Sequence, residues 1–67
     1  MKINDEWKCI KLIDVLFDID LRQEVYVSEI IKIKGFREDD VYFYQTRTDC
    51  ICHLSIQKFK KCFRRLK

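Results

Sequence analysis

Apolar and polar residues alternate along most of the chain. Val25, Val27, Ile31 and Ile33 fall on one face of an extended segment, with Tyr26, Ser28, Lys32 and Lys34 on the other. Glu29 and Ile30 interrupt that alternation, which marks a bulge or a bend. Val41-Tyr42-Phe43-Tyr44-Gln45-Thr46 is aromatic and β-branched, as strands prefer, and Asp49 to Leu54 alternates with Cys50, Cys52 and Leu54 together. The pattern predicts strands over 25–34, 41–47 and 50–54 in a meander. With one glycine (Gly35) and no proline, turns must come from polar clusters: Asp18 to Gln23, Phe36 to Asp40 and Arg47 to Asp49.

The two ends behave differently. Near the N-terminus Trp7, Ile10, Ile13 and Phe17 share a helical face that Asn4 or Asp5 would cap. The same stretch also alternates, with Ile13, Val15, Phe17, Ile19 and Leu21 set against Asp14, Asp18 and Asp20, and this second pattern favours a strand with one wet face. At the C-terminus Ile56, Phe59, Phe63 and Leu66 are spaced by three, four and three, so they share one helix face, with Ser55 as its N-cap. A mainly β fold is expected: a small SH3-like barrel of about five strands, residues 1–54, followed by a short amphipathic basic helix, residues 55–67. The alternative is an α+β fold with an N-terminal helix on a three-stranded antiparallel sheet.

Sixty-seven residues make one domain near the lower limit for an unaided core. A 48% apolar content with five Phe, three Tyr and one Trp supports such a core and argues against a disordered chain. The net charge of +3 hides a sharp division. Ser55 to Lys67 carries six basic residues and no acidic one, whereas the preceding body carries eight basic and eleven acidic groups. No apolar run approaches the ~18 residues needed to cross a bilayer. The N-terminal Met1-Lys2-Ile3-Asn4-Asp5-Glu6 turns acidic at once, unlike a signal peptide, so a cytoplasmic protein is expected. In that compartment Cys9, Cys50, Cys52 and Cys62 are expected as reduced, mostly buried thiols.

Trp7-Lys8-Cys9-Ile10-Lys11, then Phe17, then Val25-Tyr26-Val27-Ser28-Glu29-Ile30 resembles the opening of small SH3-like β-barrel accessory proteins of bacteriophages and prophages. The closing part, Val41-Tyr42-Phe43-Tyr44, Cys52-His53-Leu54-Ser55 and the spacing of Phe59 and Phe63, is similar to theirs as well. Those chains usually carry a glycine before the second strand, where this one has Gln23-Glu24. The resemblance implies a barrel fold and a phage-like origin, and it implies no catalytic residue.

Catalytic chemistry finds little support in the sequence. Cys50, Cys52 and His53, with Cys9 or Cys62, have the residue types of a zinc site, but one intervening residue is too few to wrap a metal. Cys52 and His53 are strand neighbours and face opposite ways, which separates a nucleophile from its base. Glu38-Asp39-Asp40 and Asp18 with Asp20 sit where turns are needed. A single glycine excludes a glycine-rich phosphate loop. No enzyme, metal or cofactor is expected.

The expected function is non-catalytic binding. A phage or prophage accessory protein would bind a host protein, a defence or gene-expression factor, and inhibit or redirect it. The candidate contact residues are Lys58, Lys60, Lys61, Arg64 and Arg65, with Trp7, Tyr42 and Tyr44 as aromatic contacts. Nucleic-acid binding by the same basic helix is the alternative. The eleven acids and a pI of 8.7 weigh against it. Membrane attachment is not expected, since Phe59 and Phe63 are better used in the core. Pairing of a free sheet edge would give a homodimer.

Overall fold

A computed structural model of the chain describes residues 1–17 and 21–66. Asp18, Ile19, Asp20 and Lys67, which enter the alternation, the first turn cluster and the basic terminus, lie outside the described residues. The strands are β1 (Glu6–Cys9), β2 (Ile13–Phe17), β3 (Leu21–Val25), β4 (Ile30–Arg37), β5 (Asp40–Gln45), β6 (Cys50–Ser55) and β7 (Phe63–Arg65), with one short helix, α1 (Ile56–Cys62), before β7. They form a single seven-stranded sheet in the order β3-β2-β6-β5-β4-β1-β7. Every described pairing is antiparallel.

The sheet bends around its own inner face. Trp7 and Cys9 of β1, Ile13 and Val15 of β2, Val25 of β3, Ile31 and Ile33 of β4, Val41 and Phe43 of β5, Cys52 of β6 and Phe63 of β7 are all buried in one core. These positions follow the period of two within each strand. The helix covers the end of this core. Its Phe59 ring lies 5.1 Å from Trp7, 5.6 Å from Phe43 and 4.4 Å from Phe63, the last nearly parallel. Ser55 caps α1 as expected, its Oγ accepting from the Lys58 N–H at 3.3 Å.

Several elements differ from the sequence pattern. The N-terminal helix of the α+β alternative is absent: Glu6–Cys9 and Ile13–Phe17 are strands, and Ile10 between them is 41% exposed instead of facing a core with Trp7. The basic helix does not run to the C-terminus. It stops at Cys62, and Phe63–Arg65 turns extended to pair with β1. The single strand over 25–34 is two strands: Val25 ends β3, Val27 is 56% exposed in a turn, and β4 begins at Ile30. The break at Glu29 and Ile30 is therefore a bend, while the register irregularity falls between Ile33 and Gly35. Gln23 belongs to β3 and Phe36 to β4, so neither is a turn residue. With glycine scarce, Asn4, Ser28, Glu38 and Asp49 themselves adopt positive φ at the turns, from 54° to 81°.

Among the described residues, one polar side chain in the core is completely buried. Gln45, 0% exposed, donates from Nε2 to the Glu24 carbonyl at 2.9 Å and to Glu29 Oε1 at 3.1 Å. Its Oε1 accepts from Thr48 Oγ1 at 2.9 Å and from Cys52 Sγ at 3.5 Å. Glu29 Oε2 in turn accepts from the Tyr26 N–H at 2.8 Å and from Arg47 Nε at 2.9 Å. Arg47 also donates to the Glu24 carbonyl at 2.6 Å and lies 4.2 Å over the Tyr26 ring. This network joins the end of β3, the β3–β4 turn and the β5–β6 turn.

Burial, the largest single influence, pushes the Glu29 carboxyl up, but the Tyr26 N–H, the Gln45 amide and the Arg47 guanidinium together outweigh it and leave it below its usual 4.5. The folded chain thus keeps this carboxylate ionised to lower pH than the unfolded chain does. Its contribution is complete above the usual value and is lost as pH falls through the depressed folded value. Glu29→Gln is expected to lower stability at neutral pH and to flatten the acid limb of a stability–pH profile measured by urea unfolding. An unchanged acid limb would mean that Glu29 is not the group responsible.

Candidate functional site

The outward face of the sheet gathers side chains from most of the chain. Paired residues on neighbouring strands point to the same face. Lys8 of β1 lies opposite Arg64 of β7 on one side and Ile30 of β4 on the other. One row along, Glu6 is opposite Lys32, Lys32 opposite Tyr44, and Tyr44 opposite Ile51. Tyr42 stands opposite His53, and the two rings stack at 5.1 Å. Lys8, Lys32, Lys34 and Arg64 are exposed, Ile30 is 47% and Ile51 45% exposed, and Tyr42, Tyr44 and His53 are half-buried. An open depression of about 430 Å³ lies here, lined in part by Glu6, Ile30, Lys32, Lys34, Tyr44 and Thr46.

The face is electrically graded. At the β7–β1–β4 side its cations are Lys8, Lys32, Lys34 and Arg64, against Glu6. At the far side Asp14 of β2 faces Glu24 of β3, both exposed, with exposed Arg22 as the cation beside them. Between them Asp40 sits 3.4 Å from His53 Nδ1. Tyr44 donates its hydroxyl to Asp49 at 2.5 Å, and that hydrogen bond, ahead of other influences, raises the phenol above its usual 10.0. Tyr44 therefore presents a neutral, fixed ring.

The residues expected to bind are divided among three places. Tyr42, Tyr44 and Arg64 all lie on the outward face, with Arg64 three strands away from the two tyrosines. Lys58, Lys60 and Lys61 are exposed on α1. Arg65, exposed on the edge strand, has its Nε 3.6 Å from Asp5 Oδ2. Trp7 is corrected: at 9% exposure it packs on Phe59, and its Nε1 has no hydrogen-bond partner among the described residues. It gives the core its bulk and cannot stack on a ligand. Lys8, Lys32, Lys34, Ile30 and Ile51 were not among the expected residues. The sequence does put Lys32 and Lys34 on a polar face, but only strand pairing sets Lys32 opposite Tyr44.

The cysteines and histidine occupy separate surroundings. Cys52 is buried, and its burial pushes the thiol up to about 12. Burial likewise raises Cys9, whose Sγ donates to the Lys11 carbonyl at 2.9 Å. His53 is on the opposite face from Cys52, so the pair does not meet as nucleophile and base. Among the described residues no three His, Cys, Asp or Glu side chains are grouped to hold a metal ion. No helix among them is long and apolar enough to cross a membrane. No protein-family model, curated protein or solved structure matches the chain.

Proposed function

We propose that the chain is a non-catalytic binding domain of SH3-like barrel type that docks its outward face onto an acidic, partly apolar surface of a protein partner. The observation that carries this reading is the two rows set by register, Arg64–Lys8–Ile30 and Glu6–Lys32–Tyr44–Ile51, beside an open depression that Lys34 also lines. Exposed isoleucines supply area without a partner of their own, and half-buried tyrosines are rigid, low-entropy contacts. The cations draw an acidic partner in and fix its orientation along the charge gradient. The barrel assignment is supported by the β4–β5–β6 meander, the β2–β3 hairpin returned onto β6, and a short helix before a last strand that pairs with the first. The resemblance to phage and prophage accessory proteins makes a host factor, bound so as to inhibit or redirect it, the partner to seek.

The test compares two fluorescent probes of equal charge, a glutamate-rich peptide containing leucine and tyrosine, and a single-stranded oligonucleotide. Anisotropy titrations over a range of salt are expected to show preferential peptide binding. Combined Lys8→Glu and Lys32→Glu replacement should weaken it about tenfold or more, and Tyr44→Ala should cost more than about 1 kcal/mol. Tighter binding of the oligonucleotide, with log affinity falling steeply and linearly with log salt, would replace this reading with phosphate binding.

A further inference from the structure

The sheet has two outer edges, and they are treated differently. At β3 the Glu24 carbonyl is taken by Gln45 and Arg47, so side chains cover the Val25 end of that edge. At β7 the pairing with β1 shows which groups are left over. The Leu66 N–H donates to the Glu6 carbonyl at 2.9 Å and the Ile10 N–H to the Cys62 carbonyl at 2.7 Å. Antiparallel ladders alternate, so Arg64 uses its main-chain groups on Lys8, while Phe63 and Arg65 turn theirs away from the sheet. The Phe63 N–H closes the helix onto the Phe59 carbonyl. The Phe63 carbonyl and both main-chain groups of Arg65 have no hydrogen-bond partner among the described residues.

We infer that β7 is a pairing edge, onto which an extended acidic segment of the partner adds as a further strand. The inference rests on the protein-binding reading and specifies how that partner is held. Charge selects the occupant. The edge belongs to the stretch from Ser55 onward that contains six basic residues and no acidic one. Arg64 lies on the outward face beside Lys8, and Arg65, which also reaches Asp5, points the other way, so an acidic side chain of an added strand meets a cation whichever face it takes. A second copy of β7 would instead set arginine against or beside arginine across the new pair. A nucleic acid has no main-chain groups to match the Arg65 pair. Strand addition combines these main-chain bonds with side-chain selectivity in other binding domains.

The experiment uses the full chain and a synthetic peptide alternating glutamate and valine. Amide hydrogen exchange is followed by NMR with and without peptide, and affinity is measured for Arg65→Pro and Arg65→Thr. Arg65→Pro removes the outward donor and spares the bonds to β1, a position where edge strands accept proline. Arg65→Thr removes the charge and keeps the donor. Peptide binding is expected to slow exchange of the Arg65 amide about tenfold or more. Arg65→Pro should weaken binding about tenfold beyond the loss in Arg65→Thr. The exchange measurement needs no variant, so a misfolded proline variant does not remove the test. A peptide that binds while Arg65 exchange is unaltered overturns strand addition and leaves the binding reading standing. Failure of any acidic peptide to bind overturns both. Concentration-dependent protection of Arg65 without peptide would assign the edge to a second copy and overturn the acidic-segment inference.

Discussion

Phe59→Ala is expected to leave the chain unfolded at room temperature. Phe59 is 0% exposed and its ring is within 5.6 Å of those of Trp7, Phe43 and Phe63. Removing a buried phenylalanine costs about 3–5 kcal/mol, from lost transfer energy and the cavity left behind. Loss of tilted and stacked ring contacts contributes to that cost, each worth ~0.5–1.5 kcal/mol. A single core in a domain this small supplies roughly 3–5 kcal/mol in total, so the substitution removes most or all of it. Phe59→Leu keeps most of the volume and should cost about 1–2 kcal/mol, remaining folded. Circular dichroism and Trp7 fluorescence through a denaturant titration distinguish the two. A cooperative Phe59→Ala transition close to that of the unaltered chain would show that α1 does not close the core.

The second large effect is expected at Gln45, where one changed atom type reverses a hydrogen-bond pattern. Gln45→Glu keeps the shape of the side chain but removes the amide donor that reaches the Glu24 carbonyl and Glu29. It sets a second carboxylate about where Nε2 now stands, 3.1 Å from Glu29 Oε1. Two carboxylates at that distance do not both ionise cheaply, and one is pushed well up. The expected cost at neutral pH is about 3 kcal/mol or more, enough to unfold the domain. Here the sign is opposite to that of the unaltered chain. A carboxyl with a raised folded pKa contributes stability below its unfolded value and loses it as pH rises. The variant should therefore refold on mild acidification, above the pH at which the unaltered chain begins to lose the Glu29 contribution. Urea unfolding at neutral and mildly acidic pH measures this directly. If the variant is stable at neutral pH, the Gln45 amide is not what holds the turns together.

These two side chains mark how far the sequence could be read. Phe59 was legible as a core residue, because its spacing from Ile56 and Phe63 permits few other roles. The outward direction of Lys32 was legible as well, from strand alternation alone. Gln45 was not. It lies in an aromatic run where a polar residue looks like the end of a strand, and its partners come from residues 24, 29, 48 and 52, far apart along the chain. Trp7 was misplaced for a related reason: a tryptophan beside a lysine fits both a core strand and an aromatic contact surface. The candidate site was half legible, in Tyr42, Tyr44 and Arg64, and the lysines that complete it came from the pairing of β1 and β4.

Local patterning determined that this is a mainly β domain, which face of β2, β4 and β6 turns inward, and that a basic segment follows a Ser55 cap. Those features depend on the side-chain period of a strand and on the first turn of a helix, and neither needs a distant partner. The ends and neighbours of the elements were decided only in three dimensions. Phe63 satisfies both a helical face with Phe59 and an inward strand position, and the spacing does not choose. The choice is made by β1, whose Glu6 and Lys8 main-chain groups face the C-terminal segment and bond it as an extended strand. Unpaired main-chain groups at the sheet edge are costly where they are buried, so the chain leaves the helix at Cys62 to satisfy them.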